Sequence, residues 1–330
     1  MYRGLTRRRT FSLALAGGGL GATAARAQQA KAVPPGAPRI AILDPYPASD
    51  PFNAELVAVF GQGGIVDGKT VTYDWAYADG DMARLPTLAA ALAGRRPAAV
   101  IAFGEPAIRA ARQAMPTVPI VAGSDDLVGE GFVTSLGRSS GTVTGFSILA
   151  SELNAKRLEF LKATAPAARR IGVLWDPDTG TFHLETLRRT AAGLEVELLV
   201  EEVRRLDDIA RVFAAFADWR AEAINVLASP LVHALRGPVI ERANAARLPA
   251  IYQWGETASA GGLMAYGPFH REAFRVMARQ LERVLKGTKP GDVPVEQPTE
   301  FELVLNMKTA RAIGLVYPPS LLTRADRVIE

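Results

Sequence analysis

From Arg39 onward, short apolar runs of strand length alternate with helix-length segments. That alternation constrains the chain more than any other feature. The runs Ile40–Leu43, Ala98–Phe103, Pro119–Ala122, Ile171–Trp175, Val196–Val200, Ala223–Leu227 and Ala250–Tyr252 are continuous rather than alternating. Such a pattern predicts parallel strands buried on both faces. Strand, helix, strand in series makes right-handed βαβ units, so the expected class is α/β with helices on both sides of a parallel sheet. Ser151 is placed to cap a helix over Glu152–Ala163, and Asp207 one over Asp208–Ala217. Pro166 and Pro249 stand just past helix ends, where a helix cannot continue.

Two such series appear, over about 39–145 and 147–266, joined by a short crossover at Gly141–Phe146. A length of 330 residues with 48% apolar content suits two globular units. Open parallel sheets take ligands beyond the carboxyl ends of their strands, so two facing units would form a closable cleft.

The first 27 residues read as an export signal rather than as fold. Arg7-Arg8-Arg9-Thr10-Phe11 precedes a weakly apolar stretch and then Ala25-Arg26-Ala27, a small-x-small cleavage pattern that favours the twin-arginine route. Residues 28–38, with three prolines, read as a flexible leader. The formal charge of +4 includes Arg3, Arg7, Arg8, Arg9 and Arg26, and removing them leaves −1. The basic balance therefore belongs to the signal and gives no ground for a nucleic-acid or anionic-membrane partner. The chain has no cysteine, hence no disulfide, no thiolate ligand and no lipidation site. With no apolar run of membrane-spanning length, a freely diffusing periplasmic monomer is expected.

Two motif matches fail on context. Gly63 to Thr70 fits the phosphate-loop pattern letter for letter, but a helical segment, Asn53–Phe60, precedes it and a strand, Thr70–Ala76, follows. A phosphate loop requires the reverse order, so the glycines are assigned to a helix-to-strand turn. Gly17-x-Gly19-x-x-Ala22, a relaxed dinucleotide fingerprint, lies inside the signal with no strand before it. Nucleophile elbows and paired-histidine metal spacings are missing from the sequence, and His183, His233 and His270 read as separate surface or helix residues. No catalytic residue, metal or cofactor is expected, which disfavours an exported hydrolase. The signal occupies the place a helix-turn-helix of a transcription regulator would need.

Aromatic residues instead gather at strand ends. Tyr46, Phe52, Phe103, Phe146, Trp175, Tyr252, Trp254, Tyr266 and Phe269 fall on the expected rim of the cleft, about half of them as core. Asp44, Glu105, Asp125, Asp176 and Glu256 share those loops and are suited to a ligand amine, or to capping. Of the adjacent pair Asp125-Asp126, one is expected to cap a helix and the other to face the cleft. Ser49, Ser124, Ser147 and Ser229 with helix N-terminal amides are suited to a ligand carboxylate.

Several ordered segments carry a family resemblance: Arg84-Leu-Pro-Thr-Leu-Ala, Gly141-Thr-Val-Thr-Gly-Phe, Ser151-Glu-Leu-Asn-Ala-Lys-Arg-Leu-Glu, Ala260-Gly-Gly-Leu-Met-Ala-Tyr-Gly, Leu285-Lys-Gly-Thr-Lys-Pro, Gln297-Pro-Thr-Glu-Phe-Glu-Leu-Val-Leu-Asn and Ala312-Ile-Gly-Leu-Val-Tyr-Pro-Pro-Ser. From about residue 39 to the end the chain resembles the ABC-transporter substrate-binding family that includes tryptophan- and tyrosine-binding importer components. The resemblance implies a periplasmic-binding-protein type I fold with two Rossmann-like lobes, 39–145 plus 267–298 and 146–266 plus 299–330. It also implies a three-strand hinge, near Thr144–Ser147 (Thr144, Gly145, Phe146), Tyr266–Phe269 (Gly267) and Gln297–Phe301. An ABC permease would be the partner; a sensory protein presenting ligand to a membrane receptor would look much the same. The expected ligand-binding residues are Tyr46, Ser49, Phe52, Gly104, Glu105, Ser124 and Asp125 from the first lobe, and Trp175, Ser229, Tyr252, Trp254 and Tyr266 from the second. The first ligand loop, Asp44 to Phe52, and Glu105, where similar proteins more often carry a small polar residue, depart from the family pattern.

Overall fold

The computed structural model describes residues 36–138 and 141–330. The segment expected to be an export signal and most of the expected leader lie outside the described residues. In chain order the first elements are β1 (Arg39–Asp44), α1 (Pro51–Gln62), β2 (Thr72–Tyr77), α2 (Leu85–Ala93), β3 (Ala99–Phe103), α3 (Glu105–Ala114), β4 (Ile120–Ser124) and β5 (Val143–Ser147). They form a five-stranded, all-parallel sheet in the order β2-β1-β3-β4-β5. Next come α4 (Ala150–Thr164), β6 (Arg170–Trp175), α5 (Phe182–Gly193), β7 (Glu197–Glu202), α6 (Asp208–Asp218), β8 (Ala223–Val226), α7 (Pro230–Ala234), α8 (Arg236–Ala245), β9 (Ala250–Tyr252), α9 (Gly255–Ser259) and β10 (Met264–Pro268). The chain closes with α10 (His270–Leu285), β11 (Phe301–Asn306), α11 (Met307–Ile313), α12 (Pro319–Leu322) and β12 (Arg327–Ile329). The second sheet has the order β12-β11-β10-β9-β8-β6-β7 and is parallel except for the β10–β11 pair.

Strand β1 shows why the apolar runs are continuous. Ile40 and Ile42 point into the core under α1 and α10, while Ala41 and Leu43 point into the one under α2 and α3. Both faces are covered along Ile40–Leu43, so all four positions are apolar, and each fully buried large aliphatic contributes about 1.5–3 kcal/mol. In the second sheet Ile171 and Val173 face one core and Leu174 the other. The chain leaves the first sheet after β5, returns with α10, which packs on α1, β4 and β5, and leaves again before β11.

Several local expectations need correction. Gly141–Phe146 is not a bare crossover: Val143–Ser147 is the edge strand β5, paired in register with β4. Its sharp approach requires Gly145, with φ 156°, since a Cβ there would stand 1.9 Å from the Ala122 carbonyl oxygen. Strand β7 is parallel but lies at a sheet edge and is only half-buried. Ser151 does not cap α4; Leu149 holds the cap position in a left-handed conformation and Ser151 sits inside the first turn. Asp207 stands at the N-cap of α6 without a capping bond, and Asp208 instead accepts from the Arg204 and Arg205 amides. The rejected phosphate loop is a turn, with α1 before it and β2 after, as its context required.

Candidate functional site

The carboxyl ends of both sheets converge on one cavity. Its walls comprise Tyr46, Phe52, Phe103, Gly104, Glu105, Ser124, Asp125 and Phe146 with α10 residues His270, Phe274 and Met277 on the side of the first sheet. Ser229, Pro230, Gln253 and Trp254 close it from the second. Its volume is about 50 Å³, room for a few waters. This is the closed arrangement, for residues of the two sheets touch across it. Arg236 Nη2 donates to Asp50 Oδ2 at 2.7 Å, and Arg109 Nη2 donates to the Asp178 carbonyl at 2.6 Å. The His233 ring lies 4.8 Å from Tyr46, and that of His270 3.7 Å from Trp254. Gly104, φ 77°, meets Pro230 so closely that a Cβ would fall 2.1 Å from the proline Cγ.

Glu105 opens α3 directly after β3, with Pro106 behind it fixing the first turn. It is 1% exposed, and its Oε1 accepts from the Ser124 hydroxyl at 2.6 Å and the Asp125 amide at 2.9 Å. Asp125, 6% exposed, follows β4. Burial raises both carboxyls; for Asp125 the neighbouring Glu105 charge adds to the rise, and for Glu105 the Ser124 bond opposes it. One oxygen of each, Glu105 Oε2 and Asp125 Oδ2, is buried without a hydrogen-bond partner. Across the cavity Ser229 caps α7 by accepting from the Val232 amide and donates to Asp176 Oδ2 at 2.6 Å. Burial moves Asp176 up to about 6 against the effect of that bond. Beneath the cleft, buried Arg157 donates to the Tyr266 carbonyl at 2.9 Å and to Asn154, and burial lowers it to about 10.

Of the residues predicted to bind ligand, Tyr46, Phe52, Gly104, Glu105, Ser124, Asp125, Ser229 and Trp254 line the cavity. Four do not. Ser49 is exposed in the turn before α1, where Asp50 takes the cap. Trp175 packs in the core of the second sheet and donates its indole N–H to the Gly180 carbonyl. Tyr252 is buried against the opposite face, beside a smaller pocket shared with His233 and Arg236. Tyr266 lies between the two cores, against Phe160 and Phe301. Phe269, expected at the rim, is partly exposed beside it at the start of α10. Asp126 accepts from the Val128 and Gly129 amides and so caps a turn rather than a helix.

At the predicted crossings, Thr144 donates its hydroxyl to the Val293 carbonyl, and the Gly145 carbonyl accepts from Gln280. Phe146 bridges to Glu296, and Gly267 runs so close to Gln253 that a Cβ would lie 2.2 Å from its carbonyl oxygen. Of the two readings given to the histidines, the helix one holds: His183, His233 and His270 stand on α5, α7 and α10, and all are buried, the last in the cavity wall. His270, Glu256 and Glu55 bring ligating atoms within 4.8 Å of one another, but Arg271 holds Glu55 and His270 faces Glu256. Gln253, His270, Phe274 and Met277 were not anticipated. The signal available was the position of Gln253, next to Trp254 at the end of β9.

Two doubly wound sheets that meet at their carboxyl ends around a cavity define a two-lobed solute-binding protein of the periplasmic-binding-protein type I fold. The model of the ABC transporter substrate binding protein family matches residues 56–329, and the chain belongs to that family. It is therefore a binding protein and not an enzyme. A tyrosine-binding protein of Clostridioides difficile is 24% identical over 280 residues, spanning 84% of this chain and 80% of the relative. The structure of an ABC domain from Streptococcus pneumoniae in complex with L-Trp superposes with a TM-score of 0.79 at 22% identity, covering 88% of this chain and 99% of the other. A conserved domain protein of Vibrio cholerae superposes with a TM-score of 0.81 at 24% identity, over the same shares. Among the described residues no helix is long and apolar enough to cross a membrane.

Proposed function

We propose that the chain is the periplasmic solute-capturing component of an ABC importer, exported by a twin-arginine signal cleaved near Ala27. It works as a monomer and closes two lobes, 39–145 plus 267–298 and 146–266 plus 299–330, on one small organic molecule. Thr144, Gly145, Phe146 and Gly267 lie in the hinge, and an ABC permease recognises the closed form. The observation that carries this reading is that Glu105, Ser124 and Asp125 from one sheet and Ser229, Gln253 and Trp254 from the other surround a single cavity.

Closure is ligand-driven because a molecule touching both walls binds the closed form better than the open one, and its differential affinity shifts the equilibrium. A cavity of about 50 Å³ is far below the roughly 300 Å³ of an ordinary small-molecule site, so ligand enters an open cleft and the aromatic side chains part around it. The test is calorimetric titration of the mature chain with a panel of amino acids, amines, aromatic acids and polyols. One-to-one binding of a panel member supports capture. Failure of every member, with no small molecule released from gently purified protein, sinks it.

A further inference from the structure

At the strand and helix ends that line the cavity the anion-binding donors are already in use, and the free donor of the wall, Gln253 Nε2, faces the Asp125 carboxylate. At the end of β4 the Ser124 hydroxyl and the Asp125 amide would receive a ligand carboxylate, and both donate to Glu105 Oε1. At the start of α1 the Phe52 amide donates to Asp50, and Pro51 ahead of it has no N–H to give. At the start of α7 the Val232 amide donates to Ser229, and Pro230 again offers none. Neither lysine nor arginine lines the cavity. Arg236, nearby, is held by Asp50, and the two terminal nitrogens of Arg157 by Tyr266 and Asn154, its charge already balancing Asp125. Glu105 Oε2 and Asp125 Oδ2, each on a carboxylate more than nine-tenths buried, accept no hydrogen bond of good geometry, and of the two only Asp125 has the Gln253 amide and the Arg157 charge acting on it. Apart from Ser229, Gln253 and His270 the remaining wall is apolar and mostly aromatic, with Tyr46, Phe52, Phe103, Trp254, Phe274 and Met277.

We propose that the ligand is a primary ammonium on an aromatic or apolar body without a carboxylate, an arylalkylamine, and that Glu105 is the residue that excludes amino acids. This rests on the reading of the cleft as a capture site. An ammonium brings donors to the two unpartnered oxygens, with charge-assisted bonds about twice as strong as neutral ones. Its aromatic body lies among the rings. An amino acid carrying the same ammonium would place its own carboxylate beside Glu105, whose oxygen occupies the donors that carboxylate needs. Like charge and unmet hydrogen bonds both disfavour it.

The test is calorimetry of the mature chain at pH 7.5 with matched sets: phenethylamine, L-phenylalanine and 3-phenylpropionate; tyramine, L-tyrosine and its deaminated acid; tryptamine, L-tryptophan and its deaminated acid. The expected result is that an amine binds at least about 30-fold more tightly than its parent amino acid, with no heat from the acids. Glu105→Ser frees the Ser124 hydroxyl and the Asp125 amide. It should weaken the amine and strengthen the amino acid, each about 10-fold or more. Glu105→Gln keeps the side chain in place without its charge; it should weaken the amine without admitting the amino acid, which separates charge from blocking should the serine variant fold poorly. An amino acid that binds the unaltered chain as tightly as its amine overturns the proposal while leaving solute capture standing. Binding by none of the nine compounds also overturns it, and the wider panel then decides whether capture itself fails.

Discussion

Arg236 Nη2 donates to Asp50 Oδ2 at 2.7 Å, linking the helix after one ligand loop to the cap of the helix after another, across the cleft. The Asp50 side chain is 3% exposed and that of Arg236 22% exposed, so in the closed form the carboxylate has little water to fall back on. Arg236→Ala should therefore cost the closed state about 2 kcal/mol and leave the open state, where Asp50 is hydrated, nearly unchanged. Ligand affinity should fall about 30-fold with little change in thermal stability. Titration alongside a melting curve checks both. An unchanged affinity would mean that the pair does not contribute to closure.

Gly104 serves two purposes that a double variant separates. Its φ of 77° and ψ of 159° suit glycine alone, and its missing Cβ makes room for Pro230. Gly104→Ala should lose about 1–3 kcal/mol of stability from backbone strain and at least about 10-fold in affinity from the clash. Adding Pro230→Ala, which removes the ring atom 2.1 Å from the new methyl, should restore part of the affinity and none of the stability.

Asp44 predicts a pH dependence of folding. It is wholly buried, and burial moves its carboxyl up to about 7 despite the Tyr46 amide bond. Unfolded, it titrates near the usual value of about 4, so between about pH 4 and 7 the folded chain holds the extra proton. This contribution is present below about pH 4 and is lost as pH rises through 7. Asp44→Asn mimics the protonated form and can still accept from Tyr46. It should be more stable than the unaltered chain at pH 8, by at most about 4 kcal/mol, and little different at pH 4. Urea midpoints at the two pH values check this. The comparison removes the opposite contribution of His183, which burial lowers to about 3 and which loses stability as pH falls below about 6.5.

Trp175 and Trp254 should part company on substitution. Trp175→Leu removes core packing and its bond to Gly180, and should lower the melting temperature with little specific effect on binding. Trp254→Leu removes a cavity wall and should weaken an aromatic ligand about 10-fold. The reverse pattern would place the ligand elsewhere.

The lobes were legible because strand periodicity is local: β1, β3, β4, β6, β8 and β9 announce themselves as apolar runs covered on both faces. Glu105, Ser124 and Ser229 were legible for a related reason, as residues just past or at a strand's carboxyl end lie at the cleft end of the sheet. What sequence did not yield depends on long-range geometry. His270, Phe274 and Met277 reach the cavity because α10 returns across the first sheet, more than 120 residues after β5. Trp175 and Ser49 had the right position but the wrong direction, one turned into the core and the other to solvent, and side-chain direction at a loop is set by the packing beneath it. The histidines do stand on helices, but their burial was not legible because nothing in their neighbourhoods distinguishes a helix face against a lobe from one against water.

Closure of the cleft around a ligand is most directly measured as a distance. Ala83 and Leu206 stand on opposite walls of the surface groove that runs between the lobes, Leu206 being 54% exposed, and the chain has no native cysteine to interfere. Spin labels on Ala83→Cys and Leu206→Cys would report that separation by double electron–electron resonance. With no ligand the distribution should be broad and extend to long distances. Saturating tyramine or L-tyrosine, whichever calorimetry shows to bind, should collapse it to one short distance. A distribution that stays the same when the bound ligand saturates the protein would contradict capture by closure.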